Sequence, residues 1–271
     1  MIIASFNING IKARINALEA WLKERDPDVA LLQEIKSIDE NFPREFFEDM
    51  GYIVETFGQK SFNGVAILSK YPLEDVTRGL PSYGLDDADE QARYIEATVV
   101  GDHKAIRLCN LYLPNGNPVY NGDNPNEFDV KFTYKLTWMQ RLINRAKELK
   151  SLEMPFLMAG DYNIIPSPMD AANPKRWTGD AAFRAESHAL YRELMNEGFT
   201  EAFRTRNPDG NHFTFWDYQA GAWNKNDGIR IDHFLLNPYA ADLLSDVQID
   251  KDIRGREKPS DHVPIWVDMD I

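Results

Sequence analysis

Short polar side chains close several apolar runs of the sequence, and their types suit the chemistry of hard metal ions and phosphate. One run ends at Asn7, a second at Glu34, and a third in the Asp-x-Asn pair Asp161 and Asn163. Carboxylate and amide oxygens are the ligands that Mg²⁺ prefers, and bound Mg²⁺ usually leaves room for substrate phosphate. Each such residue alone is more often a turn or cap residue. Together they indicate a site for a divalent cation.

A fourth group, near the C-terminus, adds a histidine to these oxygens. Asp261 and His262 are adjacent, and Asp232 ends an Arg-Ile-Asp motif. Asp261 offers another oxygen ligand, while a carboxylate such as Asp232 can hold the tautomer of the imidazole. The sequence contains neither a Ser or Cys nucleophile with its usual neighbours nor a Gly-rich phosphate loop. The pattern therefore favours metal-assisted hydrolysis of a phosphate ester by water.

Alternating and helical patterns predict the elements that must position these residues. Apolar runs at 2–6, 29–33 and 155–159 predict strands, and periodic stripes at 11–25 and 131–150 predict helices. Further strands are predicted at 52–56, 64–68, 93–99, 105–113, 229–236, 247–249 and 264–269, and further helices at 42–50 and 187–196. Strand runs mixed with helices are more typical of two packed sheets covered by helices than of a regular doubly wound sheet. We therefore expect the first of these two fold classes.

Composition places the chain among globular proteins. It has 271 residues, of which 43% are hydrophobic and 27% charged, without repeats or a low-complexity linker, so we expect one domain over 1–271. The single cysteine, Cys109, excludes an intramolecular disulfide, and its apolar flanks predict a buried free thiol.

No apolar run reaches the ~20 residues of a membrane span. The N-terminus lacks export features, so we expect a cytoplasmic protein.

The net charge of −13 argues against nucleic acid as a partner, because proteins that bind polyanions non-specifically usually have a basic surface. The charges are grouped, however, so the surface can be polarised. The acidic groups are Asp86, Asp87, Asp89 and Glu90, and Asp242, Asp246, Asp250 and Asp252; the basic groups are Lys12 and Arg14, Lys175 and Arg176, and Arg254, Arg256 and Lys258.

Six motifs in order resemble the exonuclease III family of apurinic/apyrimidinic (AP) endonucleases, within the endonuclease/exonuclease/phosphatase superfamily. They are Phe-Asn-Ile-Asn-Gly, Leu-Leu-Gln-Glu-Ile-Lys, Gly-Asp-Tyr-Asn-Ile, Phe-Thr-Phe-Trp-Asp-Tyr, Arg-Ile-Asp and Lys-Pro-Ser-Asp-His. The resemblance covers residues 2–266. It implies a four-layer α/β sandwich of two packed mixed β-sheets flanked by helices, DNase I-like, with the active site at one end of the sheets.

The resemblance also assigns roles to residues of this chain. Metal ligands are implied at Asn7, Glu34, Asp161, Asn163, Asp261 and His262, with Glu34 as the principal carboxylate. Catalytic groups are implied at Tyr112, Asp161, Asn163, Asp232 and His262, where Asp161 activates water and Tyr112 contacts the scissile phosphate. A pocket for a flipped-out abasic sugar is implied at Phe215, Trp216 and Ile229, and contact with the DNA backbone at Lys175 and Arg176. Asn9 stands where some members have Asp, which argues against a second strong metal site. Without the resemblance, Phe215 and Trp216 are equally consistent with the core face of a strand. Lys175 and Arg176 are then equally consistent with a solvated loop.

The resemblance implies a Mg²⁺-dependent DNA repair nuclease, with Mn²⁺ as a substitute, that hydrolyses the phosphodiester 5′ to abasic sites and clears DNA 3′ ends. Its partner would be double-stranded DNA with abasic sites or blocked 3′ ends; we expect a monomer without a membrane partner. Alternatives within the superfamily are a DNase I-like nuclease, a phosphoinositide phosphatase and a sphingomyelinase, and outside enzymes a non-catalytic DNA-binding relative. The motifs favour the AP branch, and no catalytic residue is lost. The residues do not decide among exonuclease, AP endonuclease and 3′-phosphatase activity, or between one and two metal ions.

Overall fold

The computed structural model describes residues 1–85 and 89–271, so Asp86 and Asp87 of the first acidic group lie outside the described residues. Its strands form two six-stranded sheets. The first sheet, in the order β11-β12-β1-β2-β4-β3, contains β1 (Ile2–Asn7), β2 (Val29–Gln33), β3 (Ile53–Phe57), β4 (Val65–Ser69), β11 (Leu244–Ile249) and β12 (Ile265–Met269). The second, in the order β5-β6-β7-β8-β10-β9, contains β5 (Leu73–Arg78), β6 (Tyr94–Val100), β7 (Ala105–Tyr112), β8 (Phe156–Asp161), β9 (Thr200–Glu201) and β10 (Asp232–Leu236).

Helices cover the outer faces of both sheets. They are α1 (Ile11–Arg25) and α2 (Arg44–Glu48) on the first sheet, and α3 (Val130–Lys150) and α4 (Ala185–Asn196) on the second. The short helices α5 (Ala202–Arg206) and α6 (Pro238–Ala241) pack instead against the apolar cluster between the sheets. Successive strand residues point to opposite faces. In β1, Ile3 lies in the cluster between the sheets, whereas Ala4 and Phe6 pack with Leu18 of α1. The apolar face of α3 packs in the same way on β7 and β8. The layers are helix, sheet, sheet and helix, which confirms the predicted fold class.

Two parallel strand pairs bring polar strand ends to one edge of the sandwich. In the first sheet β1 runs parallel to β2 and pairs Asn7 with Gln33; in the second, β7 runs parallel to β8 and pairs Tyr112 with Asp161. The latter pair depends on Gly160, because a Cβ there would lie 1.9 Å from the carbonyl oxygen of Leu111. The carboxyl ends of all four strands therefore meet at the same end of the molecule.

Most predicted elements are present, with instructive differences. The edge strand β5 was not predicted because its exposed residues, including Glu74 and Asp75, break the apolar alternation. The strand predicted at 229–236 begins only at Asp232. Cys109 is a buried free thiol, as predicted. Two charged residues of α3, Lys135 and Arg141, are buried where only apolar residues were expected. Among the described residues, no helix is both long and apolar enough to cross a bilayer.

Candidate active site

The polar end of the two sheets gathers an acidic cluster around one imidazole. Glu34 follows β2, Asp161 ends β8 and His262 lies in the segment before β12. One potential ligand atom from each lies within 4.8 Å of the others, and Asp161 and His262 are buried. Asn7 joins the two carboxylates: its Nδ2 donates to Glu34 Oε1 at 2.9 Å and to Asp161 Oδ2 at 3.0 Å. Strands of both sheets thus contribute to one site.

Glu34 is held as a carboxylate. Burial opposes its charge, but hydrogen bonds from Lys36 and Asn7 outweigh burial and lower the pKa of Glu34. The Lys36 ammonium lies 2.8 Å from Glu34 Oε2. An ionised, partly buried carboxylate at the mouth of the site is suited to binding a hard cation.

Asp232, His262 and Asp161 form a row across the site. His262 Nδ1 lies 2.9 Å from Asp232 Oδ2, and its Nε2 lies 3.6 Å from Asp161 Oδ2. Burial favours the neutral imidazole, but the Asp232 and Asp161 carboxylates outweigh it and raise the pKa of His262 to about 10. Burial also raises the pKa of Asp161 to about 7, although His262 acts in the opposite direction. The row therefore combines a cationic imidazole with a carboxyl group that can exchange a proton near neutral pH.

Asn163 and Tyr112 flank Asp161. The Asn163 backbone N–H donates to Asp161 Oδ1 at 2.8 Å, and its side-chain Nδ2 donates to the Leu113 carbonyl at 2.9 Å. Burial, then the nearby Glu34 and Asp161 carboxylates, raise the pKa of Tyr112 well above its usual range. Tyr112 therefore keeps its proton and can donate a hydrogen bond to an anion.

Several site residues occupy the left-handed backbone region. The φ angles are 47° at Asn9, 49° at Glu34, 50° at Lys36 and 47° at Asn163. Such angles are uncommon for residues other than Gly and persist when the surroundings over-determine them. The Gly10 N–H, for example, donates to the Glu34 carbonyl at 2.7 Å. The sharp turns aim polar side chains into the site directly after their strands.

Asp261 and Asn7 are placed differently from simple metal ligands. Asp261 Oδ1 accepts a hydrogen bond from Asn9 Nδ2 at 3.0 Å and lies outside the cluster of Glu34, Asp161 and His262. The Asn7 side-chain oxygen accepts the Asn9 N–H at 3.1 Å, so its amide nitrogen faces the carboxylates. The two carboxylates that converge, Glu34 and Asp161, fit a divalent cation, whereas His262 in its cationic form has no free lone pair with which to coordinate one.

A cavity of about 180 Å³ lies on the far side of Phe215 from the cluster; Trp177, Phe215 and Ile229 form its apolar wall, and Arg176, Asp217, Gln219 and Asp227 its polar wall. Phe215 also contacts His262, with ring centroids 5.0 Å apart. Ile229 belongs to a small buried cluster that also contains Ile165, Ala171, Ala182 and Ile231, a set the sequence analysis did not identify. The structure places Trp216 apart from this cluster: it is fully buried in the core beneath α1 and contacts Phe213 and Trp223 edge-on.

The basic groups of the sequence differ in their exposure. Lys175 and Arg176 lie exposed on a short 3₁₀ turn beside the same cavity, where Arg176 forms an ion pair with Asp227. Arg254 is instead buried, and its Nη2 donates to the Trp216 carbonyl at 3.1 Å. Only part of the positive charge predicted for the surface is therefore available to a polyanion.

Comparisons with known proteins agree with this geometry. The model of the Endonuclease/Exonuclease/phosphatase family matches residues 4–262. Exodeoxyribonuclease III of Haemophilus influenzae is 39% identical over 98% of both chains. Among solved structures, an AP endonuclease from Archaeoglobus fulgidus has a TM-score of 0.89 at 33% identity, and the 3′ phosphatase NExo from Neisseria, bound to a product DNA hairpin, has 0.90 at 33% identity. Both alignments cover all of each chain.

The fold and the cluster at its edge define a hydrolase of the endonuclease/exonuclease/phosphatase family, and the chain belongs to that family. Within it, the chain belongs with exodeoxyribonuclease III and the AP endonucleases, so the predicted class, a nuclease of DNA repair, is confirmed.

Proposed function

We propose that the chain is a Mg²⁺-dependent nuclease that cleaves double-stranded DNA on the 5′ side of abasic sites and clears blocked 3′ ends. The observation that carries this proposal is the convergence of Glu34, Asp161 and His262 beside a cavity whose apolar wall contains Phe215 and Ile229. The cluster supplies hydrolytic chemistry, and the cavity supplies a place for a sugar without a base.

The residues present fit a divalent cation, as expected of this metal-dependent family. Glu34 and Asp161 would hold it through carboxylate oxygens. When bound, the cation supplies Lewis-acid stabilisation of the negative charge that grows on the phosphate. The sequence also predicted Asn7, Asn163, Asp261 and His262 as ligands; Asn163 and Asp261 stay candidates, whereas Asn7 turns its amide N–H groups to the carboxylates and His262 is held cationic. Mg²⁺ as the metal, with Mn²⁺ as a substitute, is part of the proposal.

The protein side chains would divide the remaining work. Asp161, whose pKa lies near neutrality, takes a proton from the attacking water. His262 is held cationic by Asp232 and stabilises negative charge on the phosphate oxygens. Tyr112 donates from its protonated hydroxyl, and the Asn163 amide lies beside Asp161 to orient the water or the phosphate. The water attacks phosphorus in line with the leaving 3′ oxygen.

The cavity beside Phe215 would select the substrate. Trp177, Phe215 and Ile229 offer an apolar wall, opposite the polar side chains of Asp217, Gln219 and the Arg176–Asp227 pair. A flipped-out deoxyribose would pack against the apolar wall, and the volume of about 180 Å³ would exclude a normal base by shape. Lys175 and Arg176, on the exposed turn beside the cavity, would contact the phosphate backbone. The cytoplasmic location, the monomeric state and a single domain over 1–271 stay predictions.

The test compares three duplexes: one with a tetrahydrofuran abasic analogue, one with a 3′-phosphate, and an undamaged blunt duplex. We expect an incision immediately 5′ to the analogue, release of inorganic phosphate from the second, and slower digestion of the third. Uniform digestion of all three without site preference would favour the alternative, a non-specific DNase I-like nuclease. Hydrolysis of a phospholipid or phosphoinositide in place of DNA would assign the chain to another branch of the superfamily.

A further inference from the structure

Helix α3 carries a buried lysine that faces the active site from behind. Lys135 is 0% exposed, and its Nζ donates to the carbonyl oxygens of Asn163 at 2.6 Å and Asn115 at 3.1 Å. Within residues 1–85 and 89–271, Nζ of Lys135 has no carboxylate within 4.0 Å. A buried amine without an ion-pair partner is costly to the folded state, and an apolar side chain of similar volume would avoid that cost.

The two carbonyls belong to the two loops that complete the site. Asn163 follows β8 and Asn115 follows β7, and the Asn115 Nδ2 donates to Asn163 Oδ1 at 3.3 Å. Asn163 in turn donates its backbone N–H to Asp161. Lys135 therefore lies two hydrogen bonds from the carboxylate assigned to water activation.

The surrounding backbone leaves room for the lysine. Gly116, which follows Asn115, has φ +86°, and a Cβ there would lie 2.6 Å from Cδ of Lys135. Asn163 adopts φ 47°, a conformation that must be held by its surroundings. A donor aimed at the Asn163 carbonyl is one such restraint.

We infer that Lys135 is a positioning residue of the proposed nuclease reaction, which holds the Asn115 and Asn163 loops at the distance that aligns Asn163 with Asp161. The inference rests on the proposed function for its kinetic consequence only. Misplacing a reacting group by about 1 Å can cost 10²-fold in rate, and loss of a supporting hydrogen bond around a metal site typically costs 10- to 100-fold.

The experiment compares Lys135→Met and Lys135→Gln with the control Arg141→Met. Arg141 is a second buried cation of α3, but its partners are Asp89 and the carbonyls of Leu80 and Pro81, away from the site. We expect Lys135→Met to lower kcat on the abasic duplex by about 10- to 100-fold while KM changes by less than about threefold. Lys135→Gln retains a donor and should lose less. Arg141→Met should leave kcat near the wild-type value.

Hydrogen exchange measured by mass spectrometry supplies a readout that does not depend on activity. Peptides covering 113–117 and 161–165 should exchange faster in Lys135→Met than in the wild type, and not in Arg141→Met. Unchanged exchange in these peptides, or a kcat loss that Arg141→Met reproduces at an equal loss of Tm, would overturn the inference. If Lys135→Met does not fold, Lys135→Gln is judged by the same two criteria. A wild-type protein inactive on the abasic duplex would refute the proposed function, while the exchange comparison would still decide the role of Lys135.

Discussion

At the scale of single residues, the site consists of ordinary side chains whose properties are set by their neighbours. His262 lies between two carboxylates and keeps its proton at neutral pH, whereas burial gives Asp161 a pKa of about 7. Glu34, only a few ångströms away, stays ionised because Lys36 and Asn7 donate to it. Three acidic or basic groups in one small volume thus take three different roles.

Asp161→Asn should slow single-turnover cleavage of an abasic duplex by at least ~10²-fold, because a water must lose its proton in the reaction. The substitution keeps the shape of the side chain and its hydrogen bond to the Asn163 N–H. DNA affinity, measured in Ca²⁺, should change little. A variant that cleaves near the wild-type rate would remove Asp161 from its assigned role.

Asp232→Asn should cost less than His262→Ala, because Asp232 acts only through the imidazole that it holds at 2.9 Å. The double variant should be little slower than His262→Ala alone, since residues that act as one unit are not additive. Single-turnover rates of the three variants decide this. Rate losses that multiply cleanly would mean that Asp232 has a separate function.

At the scale of secondary-structure elements, a buried ion cluster joins the segments behind the apolar wall of the cavity. Arg230, next to Ile229, contacts Asp170 Oδ1 at 2.8 Å and Glu201 Oε1 at 2.9 Å. Arg204 of α5 contacts the same Asp170 carboxylate at 2.6 Å. The cluster fixes the loop after β8 to the segment that carries Ile229 and Ile231, so it supports the cavity.

This ion cluster should make the free energy of unfolding depend on pH in the acidic range. Burial opposes the charge on Asp170, but Arg230 and Arg204 outweigh it and lower the pKa of Asp170 to about 2. Because the folded-state pKa is lower than the unfolded one, the stabilisation is present above about pH 4 and is lost as the pH falls towards 2. It amounts to about 2 kcal/mol.

Urea unfolding at pH 5 and at pH 2 tests this directly. The difference in unfolding free energy between the wild type and Asp170→Asn should shrink by about 2 kcal/mol at the lower pH. Asp49→Asn, at an exposed position, is the matched control and should show no such change. A difference that is the same at both pH values would contradict the assigned ion pairs.

The strands whose ends form the site could be predicted from the sequence, whereas the loops that surround the site could not. The strands leading to Asn7, Glu34 and Asp161 are short apolar runs followed by a polar residue, a pattern that is local and therefore readable. Lys135 and Ile231 have no such local signal, because their roles depend on which loop or helix packs against them. Phe215 and Trp216 are adjacent aromatic residues in the sequence, but Phe215 packs against the small cluster around Ile229 whereas Trp216 is buried in the core beneath α1. They lie outside the strands, in a segment where Phe215 forms isolated bridges to Ile229 and His262, so no alternation in the sequence predicts this difference.

At the scale of the whole molecule, a net charge of −13 must be reconciled with a polyanionic substrate. Local basic loops near the site can do this if few phosphates are contacted. The DNA affinity should then fall only modestly with salt: the slope of log K against log salt concentration should be about −0.9 for each phosphate contact. Lys175 and Arg176, exposed beside the cavity, are the first candidates for these contacts.

Replacing Lys175 and Arg176 with Ala should weaken binding to every DNA sequence alike and reduce the slope by up to about two contacts. Because Arg176 is already paired with Asp227, it should contribute less than Lys175 to the salt slope. The control replaces Lys147 and Lys150, at the end of α3 away from the site. A slope unchanged by the first double substitution would place the DNA path elsewhere.

The proposed function requires that the cluster of Glu34, Asp161 and His262 hydrolyses DNA with a bound divalent cation. The most direct measurement is single-turnover cleavage of the tetrahydrofuran duplex in Mg²⁺ and in EDTA, with Mn²⁺ binding to the wild type and Glu34→Gln followed by calorimetry. We predict incision 5′ to the analogue in Mg²⁺, none in EDTA, and loss of both incision and Mn²⁺ binding in Glu34→Gln. Full cleavage in EDTA, or a Glu34→Gln variant that binds Mn²⁺ and cleaves like the wild type, would show that the cluster does not work through a bound cation.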